Sequence, residues 1–117
     1  MNHIFCKQIQ KGELDAIQIN HPLFKATLLL QGAQLIKFCP QNNQYKNLLW
    51  LSNQVEYKIG QPLRGGIPIC WPWFGNLDKN PKNIQQQTNI NNPPAHGIVR
   101  DIPWAVHSII ESCEAVI

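Results

Sequence analysis

The sequence predicts an all-β protein with antiparallel strands. Short runs rich in apolar and β-branched residues recur about every 8–12 residues, with turn residues between them, which is typical of a β-sandwich or barrel. No segment carries a long apolar repeat at 3.6-residue spacing, so we expect helix to be minor. The runs predicted as strands are LDAIQI (14–19), FKATLLLQ (24–31), AQLIKFC (33–39) and LLWLS (48–52).

Turn residues separate these runs. Gly12 follows the polar start of the chain, Pro22 biases the residue before it towards an extended backbone, and Gly32 divides two apolar runs. The composition of residues 40–47 predicts a turn. The Asn-, Gln- and Pro-rich residues 76–95 predict an exposed loop, which is unusually long for a compact domain.

Residues 102–117 are predicted to form a strand, a turn around Glu111 and Ser112, and a second strand. That second strand stops inside the apolar run AVI (115–117), and a domain rarely exposes the start of a core strand because an unpaired edge invites aggregation. We therefore expect the chain to be a fragment of a longer protein. The alternative is that residues 115–117 pair as a final edge strand.

Length and composition indicate one folded domain without a membrane span. The 117 residues suit one small domain, and the apolar share of 44% is near the globular range. The longest apolar run, ATLLL (26–30), is far shorter than the roughly 18 residues that a membrane span needs. The N-terminus MNHIFCKQIQ lacks the apolar core of a signal peptide, so we expect a cytoplasmic location.

Charge and cysteine patterns argue against nucleic-acid binding and metal binding. The net charge is +3 and the eight lysines are scattered, whereas nucleic-acid binders cluster their positive charge. The four cysteines form no Cys-x-x-Cys pair and are expected to be reduced. His3 and Cys6 lie three residues apart, but two further ligands at a suitable spacing are missing, so we predict no metal site.

The two arginines, by contrast, lie inside dense motifs. Arg64 belongs to PLRGGIPICWPWFG (62–75), which has too much proline for a central strand and too many bulky apolar groups for a solvated loop. We expect the prolines and aromatic residues to form a rigid wall. The pair Gly65 and Gly66 is expected to let the backbone turn close to a ligand.

Arg100 lies in a second motif, PPAHGIVRDIPW. If the backbone is extended here, side chains alternate, and His96, Ile98 and Arg100 share one face. The glycine after the histidine leaves room for a ligand or for another backbone. Taken alone, this motif is better explained by a histidine bonded at a sheet edge and by an ion pair of Arg100 with Asp101.

Together the two motifs resemble those of the hexose-6-phosphate mutarotases, the glucose-6-phosphate 1-epimerase branch of the aldose 1-epimerase family. The residues that carry the resemblance are RGGIPICWPWFG and then PAHGIVR with a tryptophan four residues later. Upstream, HPLFKATLLLQGAQLIKFCP and LLWLS resemble the family's first strands, including a Leu-Gln-Gly-Ala-Gln signature. The resemblance implies an antiparallel β-sandwich of the galactose-mutarotase-like type. Residues 1–117 are expected to be the N-terminal part of one such domain, and therefore an incomplete sandwich.

The resemblance also implies an isomerase that interconverts the α and β anomers of hexose 6-phosphates. A base takes the proton of the C1 hydroxyl, an acid protonates the ring oxygen, the ring opens, and C1 rotates. Acid–base catalysis of this kind contributes roughly 10²–10⁴-fold. No metal or organic cofactor is implied. The dianionic phosphate suits arginine, because the planar guanidinium donates bidentately to phosphate oxygens.

Roles carry over only to the positions that match the family's motifs. Arg64 and Arg100 match its substrate-binding arginines, and His96 matches a histidine at the sugar. Ala95 stands at the substrate where some relatives carry glutamine, so that side-chain contact is lost. The family's catalytic histidine and glutamate are implied to lie beyond position 117, so no catalytic residue is assigned. Neither is matched by the other candidates, His107, Glu111 and Glu114.

Two non-enzymatic interpretations stay open. One is a truncated, non-catalytic remnant that binds sugar phosphate or self-associates through an uncovered apolar face. The other is a carbohydrate-binding module whose aromatic rings stack on a sugar. Trp73 is the expected substrate contact, whereas Trp71 and Phe74 are expected to be core residues. A module for neutral polysaccharide has no need of two arginines. The sequence predicts neither the oligomeric state nor the preferred hexose phosphate.

Overall fold

The N-terminal part of the chain folds into one antiparallel sheet. The computed structural model describes residues 2–44 and 46–117. Within these ranges four strands follow one another as a meander, each paired with its neighbour in sequence. The all-β, antiparallel prediction is confirmed. The strands are β1 (Cys6–Lys11), β2 (Leu14–His21), β3 (Phe24–Leu29) and β4 (Gln34–Pro40).

Three of these strands match predicted runs, and β1 does not. The runs at 14–19, 24–31 and 33–39 correspond to β2, β3 and β4. The sequence of β1, CKQIQK, has little apolar alternation, and β1 forms because a tight turn pairs it with β2. In that turn Gly12 has φ +58, and a Cβ there would lie 2.7 Å from the Tyr57 carbonyl oxygen. The turn therefore also holds the later part of the chain against the sheet.

One face of the sheet forms the hydrophobic core. Ala16 and Leu29 are fully buried and lie opposite each other in the register of β2 and β3. Leu63, from the irregular part of the chain, packs into the same cluster, and this fixes where the first arginine motif begins. The buried members of the cluster are Leu14, Ala16, Leu29, Ile36 and Leu63, with Ile9, Leu51, Val55 and Tyr57 packed against them.

The buried strand predicted at 48–52 is wrong. Leu48 and Trp50 are exposed, and the segment forms a single-residue bridge rather than a ladder. The Asn47 side chain explains the difference. Its Oδ1 accepts the backbone N–H of Phe38, in β4, and one of the segment's own N–H groups, each at 3.0 Å. A side chain thus takes the place of strand hydrogen bonds at this point.

Two connecting segments differ in how well they were predicted. Residues 40–47 turn as predicted through a 3-10 helix at Gln41–Asn43, although Tyr45 lies outside the described residues. Residues 76–95 are mostly exposed, but they are not wholly irregular. The Gln85 side chain closes this loop by donating to the Asn80 carbonyl oxygen at 2.7 Å. Two short helices lie within it, a 3-10 helix at Leu77–Lys79 and α1 at Lys82–Gln86.

The last residues form a small hairpin in place of the two predicted strands. Ile110 and Ile117 exchange both of their backbone hydrogen bonds, so residues 115–117 do pair. The turn lies at 112–115, close to the predicted position. His21 in β2 holds the hairpin, since its Nε2 lies 2.9 Å from the Ser112 carbonyl oxygen. No helix within the two described ranges is long and apolar enough to cross a membrane.

Candidate functional site

Arg64 sits on a backbone segment that is held on every side. The carbonyl oxygens of Leu63 and Gly65 both accept from the Gln34 side-chain amide, at 3.5 and 2.6 Å. The Arg64 carbonyl oxygen accepts the Ser52 N–H at 3.0 Å. The Arg64 side chain itself is exposed. The backbone is therefore fixed while the guanidinium remains accessible to a ligand.

The two glycines after Arg64 approach the protein's own backbone rather than a ligand. Gly65 has φ +126, and a Cβ there would lie 2.6 Å from the Leu51 Cα. Gly66 has φ +65, and a Cβ there would overlap the Leu35 carbonyl oxygen. The expectation that this pair lets the backbone turn close to a ligand is thus corrected. The glycines seat the segment between β4 and residues 50–51.

A shallow groove of about 240 Å³ lies beside Arg64. Its lining contains one positively charged side chain, Arg64, and one negatively charged side chain, Glu56. Glu56 is paired with Lys58 at 3.0 Å, and this hydrogen bond and charge raise the pKa of Lys58. The pairing reduces the repulsion that Glu56 would exert on an anionic ligand. The groove is lined by Ser52, Gln54, Val55, Glu56, Gln61, Pro62, Leu63 and Arg64.

The backbone around His96 is left-handed rather than extended. His96 has φ +67 and Gly97 has φ +81, so the predicted alternation that would place His96, Ile98 and Arg100 on one face is wrong. The cause is a pair of hydrogen bonds between His96 and Gly75. The His96 N–H donates to the Gly75 carbonyl oxygen at 2.9 Å, and the Gly75 N–H donates to His96 Nδ1 at 3.0 Å.

The bond from the Gly75 N–H to His96 Nδ1 sets the tautomer of the imidazole ring. An Nδ1 that accepts from a backbone N–H carries no proton, so the neutral ring carries its proton on Nε2. The ring is half-buried and packs edge-on against Phe74, with centroids 4.9 Å apart. His96 therefore offers an Nε2–H donor, which suits a hydroxyl or ring oxygen of a sugar.

The three aromatic residues of the first motif have different environments. Trp73 is 3% exposed, and its indole N–H donates to the Pro94 carbonyl oxygen at 3.0 Å. Trp73 therefore supports the segment that carries Ala95 and His96, and its direct contact with substrate stays a prediction. Trp71 and Phe74 are 61% and 73% exposed, so the expectation that they are core residues is wrong for this chain.

Gly97 lets the backbone of Trp71 come close, as one of the two sequence expectations stated. The Ile98 N–H donates to the Trp71 carbonyl oxygen at 2.8 Å, and Trp71 and Gly97 form a parallel bridge. A Cβ at Gly97 would overlap the Trp71 carbonyl oxygen. The two motifs, separated by a long loop, are therefore docked directly on each other.

Arg100 follows this docked segment and is half-buried. Gly32 fixes its backbone, because a Cβ at Gly32 would overlap the Arg100 carbonyl oxygen. The Gly32 N–H also donates to the Ile102 carbonyl oxygen at 2.8 Å. Within residues 2–44 and 46–117 neither arginine side chain makes an ion pair or hydrogen bond, so the alternative pairing of Arg100 with Asp101 is not formed.

The structure thus groups the expected site residues in two ways. Pro94 and His96, on either side of Ala95, bond directly to Trp73 and Gly75 at the end of the first motif. The backbones beside Arg64 and Arg100 both contact the turn at residues 31–34, QGAQ. Gln34, in this turn, is the residue that sequence reasoning missed. The available signal was a glutamine inside a run predicted to be a buried strand, since a buried amide needs hydrogen-bond partners.

Glu111 has a structural role in this chain. Its carboxylate accepts the backbone N–H groups of Ile4, Phe5 and Cys6 at 2.7, 2.9 and 2.9 Å. Desolvation raises the pKa of Glu111, but these hydrogen bonds lower it by more, so the pKa lies below its ordinary value. Burial and the neighbouring carboxylate raise the pKa of the Cys6 thiol to about 11. All four cysteines are free.

No metal-binding cluster occurs in the part of the chain that the structure describes. Those residues contain no group of three or more His, Cys, Asp or Glu side chains that could hold a metal ion. The candidate site offers two guanidinium groups, one imidazole N–H and exposed aromatic residues. This set suits recognition of an anionic, hydroxyl-rich ligand.

Comparisons with known proteins identify the family. The family described as "Aldose 1-epimerase" matches residues 15–117. A protein of Escherichia coli and one of Salmonella typhimurium, each named "Putative glucose-6-phosphate 1-epimerase", are 41% and 43% identical to the chain over 104 and 97 residues. The matches cover 89% and 83% of the chain but 31% and 29% of the relatives, so the chain spans about a third of their length.

A solved structure has the same fold over its matching part. It is the crystal structure of a Salmonella typhimurium protein described as "a putative mutarotase", and it is 36% identical to the chain. The TM-score is 0.80, over 99% of this chain and 35% of that protein. The antiparallel sheet is therefore that of a mutarotase-type fold. Since the family match extends over most of the chain, the chain belongs to the aldose 1-epimerase family.

Proposed function

We propose that this chain carries the substrate-recognition part of a glucose-6-phosphate 1-epimerase, in the N-terminal portion of one mutarotase-type domain. The observation that carries the proposal is the state of the two arginines. Both lie on rigidly held backbone, and neither guanidinium is paired within the described residues. Unpaired guanidinium groups on a fixed backbone suit a dianionic phosphate, because each can donate two parallel hydrogen bonds.

In the proposed complex, Arg64 and Arg100 bind the 6-phosphate and adjoining oxygens of the sugar. The Nε2–H of His96 donates to a hydroxyl or ring oxygen. Ala95 adds only a methyl group beside the histidine, which leaves room for the sugar. Proton transfer at C1 and at the ring oxygen is assigned to a histidine and a glutamate that match no position among these 117 residues. A cytoplasmic location remains a prediction.

A second candidate function is sugar-phosphate binding without catalysis. Glu111 favours it, because three backbone N–H groups occupy its carboxylate and lower its pKa, so it is not poised as a general base. Both functions place proton transfer outside these 117 residues, and one measurement tests that shared claim. Exchange NMR on glucose 6-phosphate reports the rate at which α and β anomers interconvert. We expect the 117-residue chain to leave that rate unchanged, and catalysis by it would contradict the placement of the acid and base elsewhere.

Calorimetric titration with glucose 6-phosphate and with glucose tests the proposed recognition. We expect glucose 6-phosphate to bind at least about tenfold more tightly, because a hydrogen bond to a charged group is worth roughly 1.5–3 kcal/mol. Arg64→Ala and Arg100→Ala should each remove about tenfold of the affinity for glucose 6-phosphate. Each should change the affinity for glucose much less.

Lys79→Ala is the matched control, because Lys79 is an exposed cation on a short helix that belongs to neither motif. It should leave both affinities unchanged. Equal losses for the two ligands in the arginine variants would contradict phosphate recognition and favour a neutral-sugar module. A loss in Lys79→Ala equal to that in Arg64→Ala would reduce the effect to general charge attraction.

A further inference from the structure

We propose that Gln34 is a positioning residue for Arg64, acting through the carbonyl groups of its two neighbours, Leu63 and Gly65. The inference rests on the proposed role of Arg64 in binding the 6-phosphate. Gln34 does not need to touch the substrate for this role. Gln34 fixes the backbone from which the Arg64 side chain extends. The position of that backbone determines whether the guanidinium can donate two hydrogen bonds to the phosphate at once.

The side-chain amide of Gln34 holds the backbone on both sides of Arg64. Its NH₂ group donates to the carbonyl oxygen before Arg64, on Leu63, at 3.5 Å and to the one after it, on Gly65, at 2.6 Å. One side-chain nitrogen thus spans Arg64, from the Leu63–Arg64 peptide group to the Gly65–Gly66 peptide group. Rotation of either peptide would break one of these bonds, so the bridge restricts the backbone dihedrals that aim the Arg64 side chain.

Burial of Gln34 makes the loss of these hydrogen bonds costly. Gln34 is 3% exposed, and a buried carbonyl without a donor is costly, since water cannot replace the lost partner. Among the buried residues of the sheet, most are apolar, and this position lies at the start of β4 beside the core. A glutamine here is explained by the carbonyls that it satisfies.

A nearby glutamine provides a comparison within the same turn. Gln31 is 7% exposed, and its amide also binds backbone groups. It accepts the Gly60 N–H at 2.9 Å and donates to the Gln61 carbonyl oxygen at 3.1 Å. These partners belong to the turn before the motif and do not flank Arg64. Gln31 and Gln34 therefore share residue type, burial and bonding to backbone, but only Gln34 binds the residues on both sides of the arginine.

The test compares Gln34→Met with Gln31→Met in the 117-residue chain. Methionine keeps the length of the side chain and removes the amide. We expect Gln34→Met to weaken glucose 6-phosphate binding about tenfold and glucose binding less than about twofold. Gln31→Met and Gln34→Met should lower the melting temperature by similar amounts. Gln31→Met should nevertheless keep the ratio of the affinities for glucose 6-phosphate and glucose within about twofold of the wild-type ratio.

A double-mutant cycle separates positioning from general destabilisation. If Gln34 acts through Arg64, then Gln34→Met should cause no further loss of glucose 6-phosphate affinity in the Arg64→Ala background. Additive losses would overturn the proposal, and so would an unchanged affinity ratio in Gln34→Met. If Gln34→Met does not fold, Gln34→Asn keeps the amide but shortens its reach, and the same loss of the affinity ratio is expected.

A ligand-free measurement distinguishes failure of this inference from failure of the proposed function. The chain has two arginines, so its ¹H–¹⁵N spectrum has two side-chain Nε–H signals. In the absence of ligand, Gln34→Met should shift or broaden the Arg64 signal, and Gln31→Met should not. If the wild type fails to prefer glucose 6-phosphate while this response is present, the positioning stands and the phosphate role falls. If the Arg64 signal does not respond, the positioning itself is overturned.

Discussion

The sheet at residues 6–40 and the irregular part at 46–117 are stabilised in different ways. In the sheet, backbone ladders join four consecutive strands, and alternate side chains form the core. In the irregular part, single-residue bridges, glycines with positive φ and side-chain amides hold the chain. All of the proposed recognition residues belong to the second region. The scaffold is therefore regular, whereas the site depends on a small number of individual contacts.

This difference has a consequence for mutation. In a ladder no single hydrogen bond is essential, because many equivalent bonds join the strands. The stability of the sheet is therefore most sensitive to changes in its apolar core. The irregular part depends on specific atoms, such as the Gln34 amide and the missing Cβ of Gly97. We expect core substitutions in the sheet to unfold the chain, and substitutions in the irregular part to alter the site at a smaller cost in stability.

The largest expected effect is in the core of the sheet. Leu29→Ala removes a fully buried side chain from the centre of the cluster and should lower the free energy of unfolding by about 2–5 kcal/mol. Leu48→Ala makes the same chemical change at an exposed position of the irregular part. It should change the free energy of unfolding by less than about 0.5 kcal/mol. Urea denaturation measures both, and equal losses would contradict the assignment of the core to the sheet.

The next effect concerns the contact between the two motifs. Gly97→Ala and Gly60→Ala both place a side chain at positive φ, which costs about 1–2 kcal/mol in each case. Only at Gly97 does the new Cβ also overlap a backbone atom, the Trp71 carbonyl oxygen, whereas nothing lies within 4 Å at Gly60. Gly97→Ala should therefore destabilise the chain more and should also shift the tryptophan fluorescence. Equal effects of the two variants on unfolding would show that the docking of the motifs is not tight.

The smallest expected effect concerns Glu111 and pH. Hydrogen bonds from Ile4, Phe5 and Cys6 lower the pKa of Glu111 in the folded chain below its ordinary value of 4.5. The stabilisation is therefore complete above about pH 4.5 and is lost as the pH falls through the folded-state pKa. Glu111→Gln should lower the melting temperature near neutral pH and flatten its decrease in acid. The neighbouring Glu114→Gln is the control, and an acid response equal to that of the wild type in Glu111→Gln would count against the contact.

Sequence patterns predicted the sheet better than the irregular part, for a physical reason. The alternation around Ala16 and Leu29 is local and marks a half-buried strand directly. The failure at 48–52 arose because the Asn47 side chain competes for the backbone of β4, which apolar content does not reveal. Strand β1 was missed because its pairing partner, rather than its own composition, makes it a strand.

The sequence motifs supply the residues of the proposed site, but they did not predict the backbone geometry around these residues. The resemblance singled out Arg64, His96 and Arg100, because a sequence motif can be matched residue by residue without knowledge of the backbone conformation. The left-handed conformation of His96 depends on Gly75, which lies 21 residues away in sequence. The support of Arg64 by Gln34 spans a separation of 31 residues at its Gly65 bond. Such contacts are set by tertiary structure, so neither local propensity nor spacing could reveal them.

The most direct test of the central claim uses the two arginine side chains as reporters. Because the chain contains only Arg64 and Arg100, replacement of either by lysine assigns both Nε–H signals in a ¹H–¹⁵N spectrum. Titration with glucose 6-phosphate should shift both signals with the same dissociation constant, and glucose at equal concentration should shift them much less. Signals that stay in place with glucose 6-phosphate, or that respond equally to glucose, would contradict recognition of the phosphate by these two arginines.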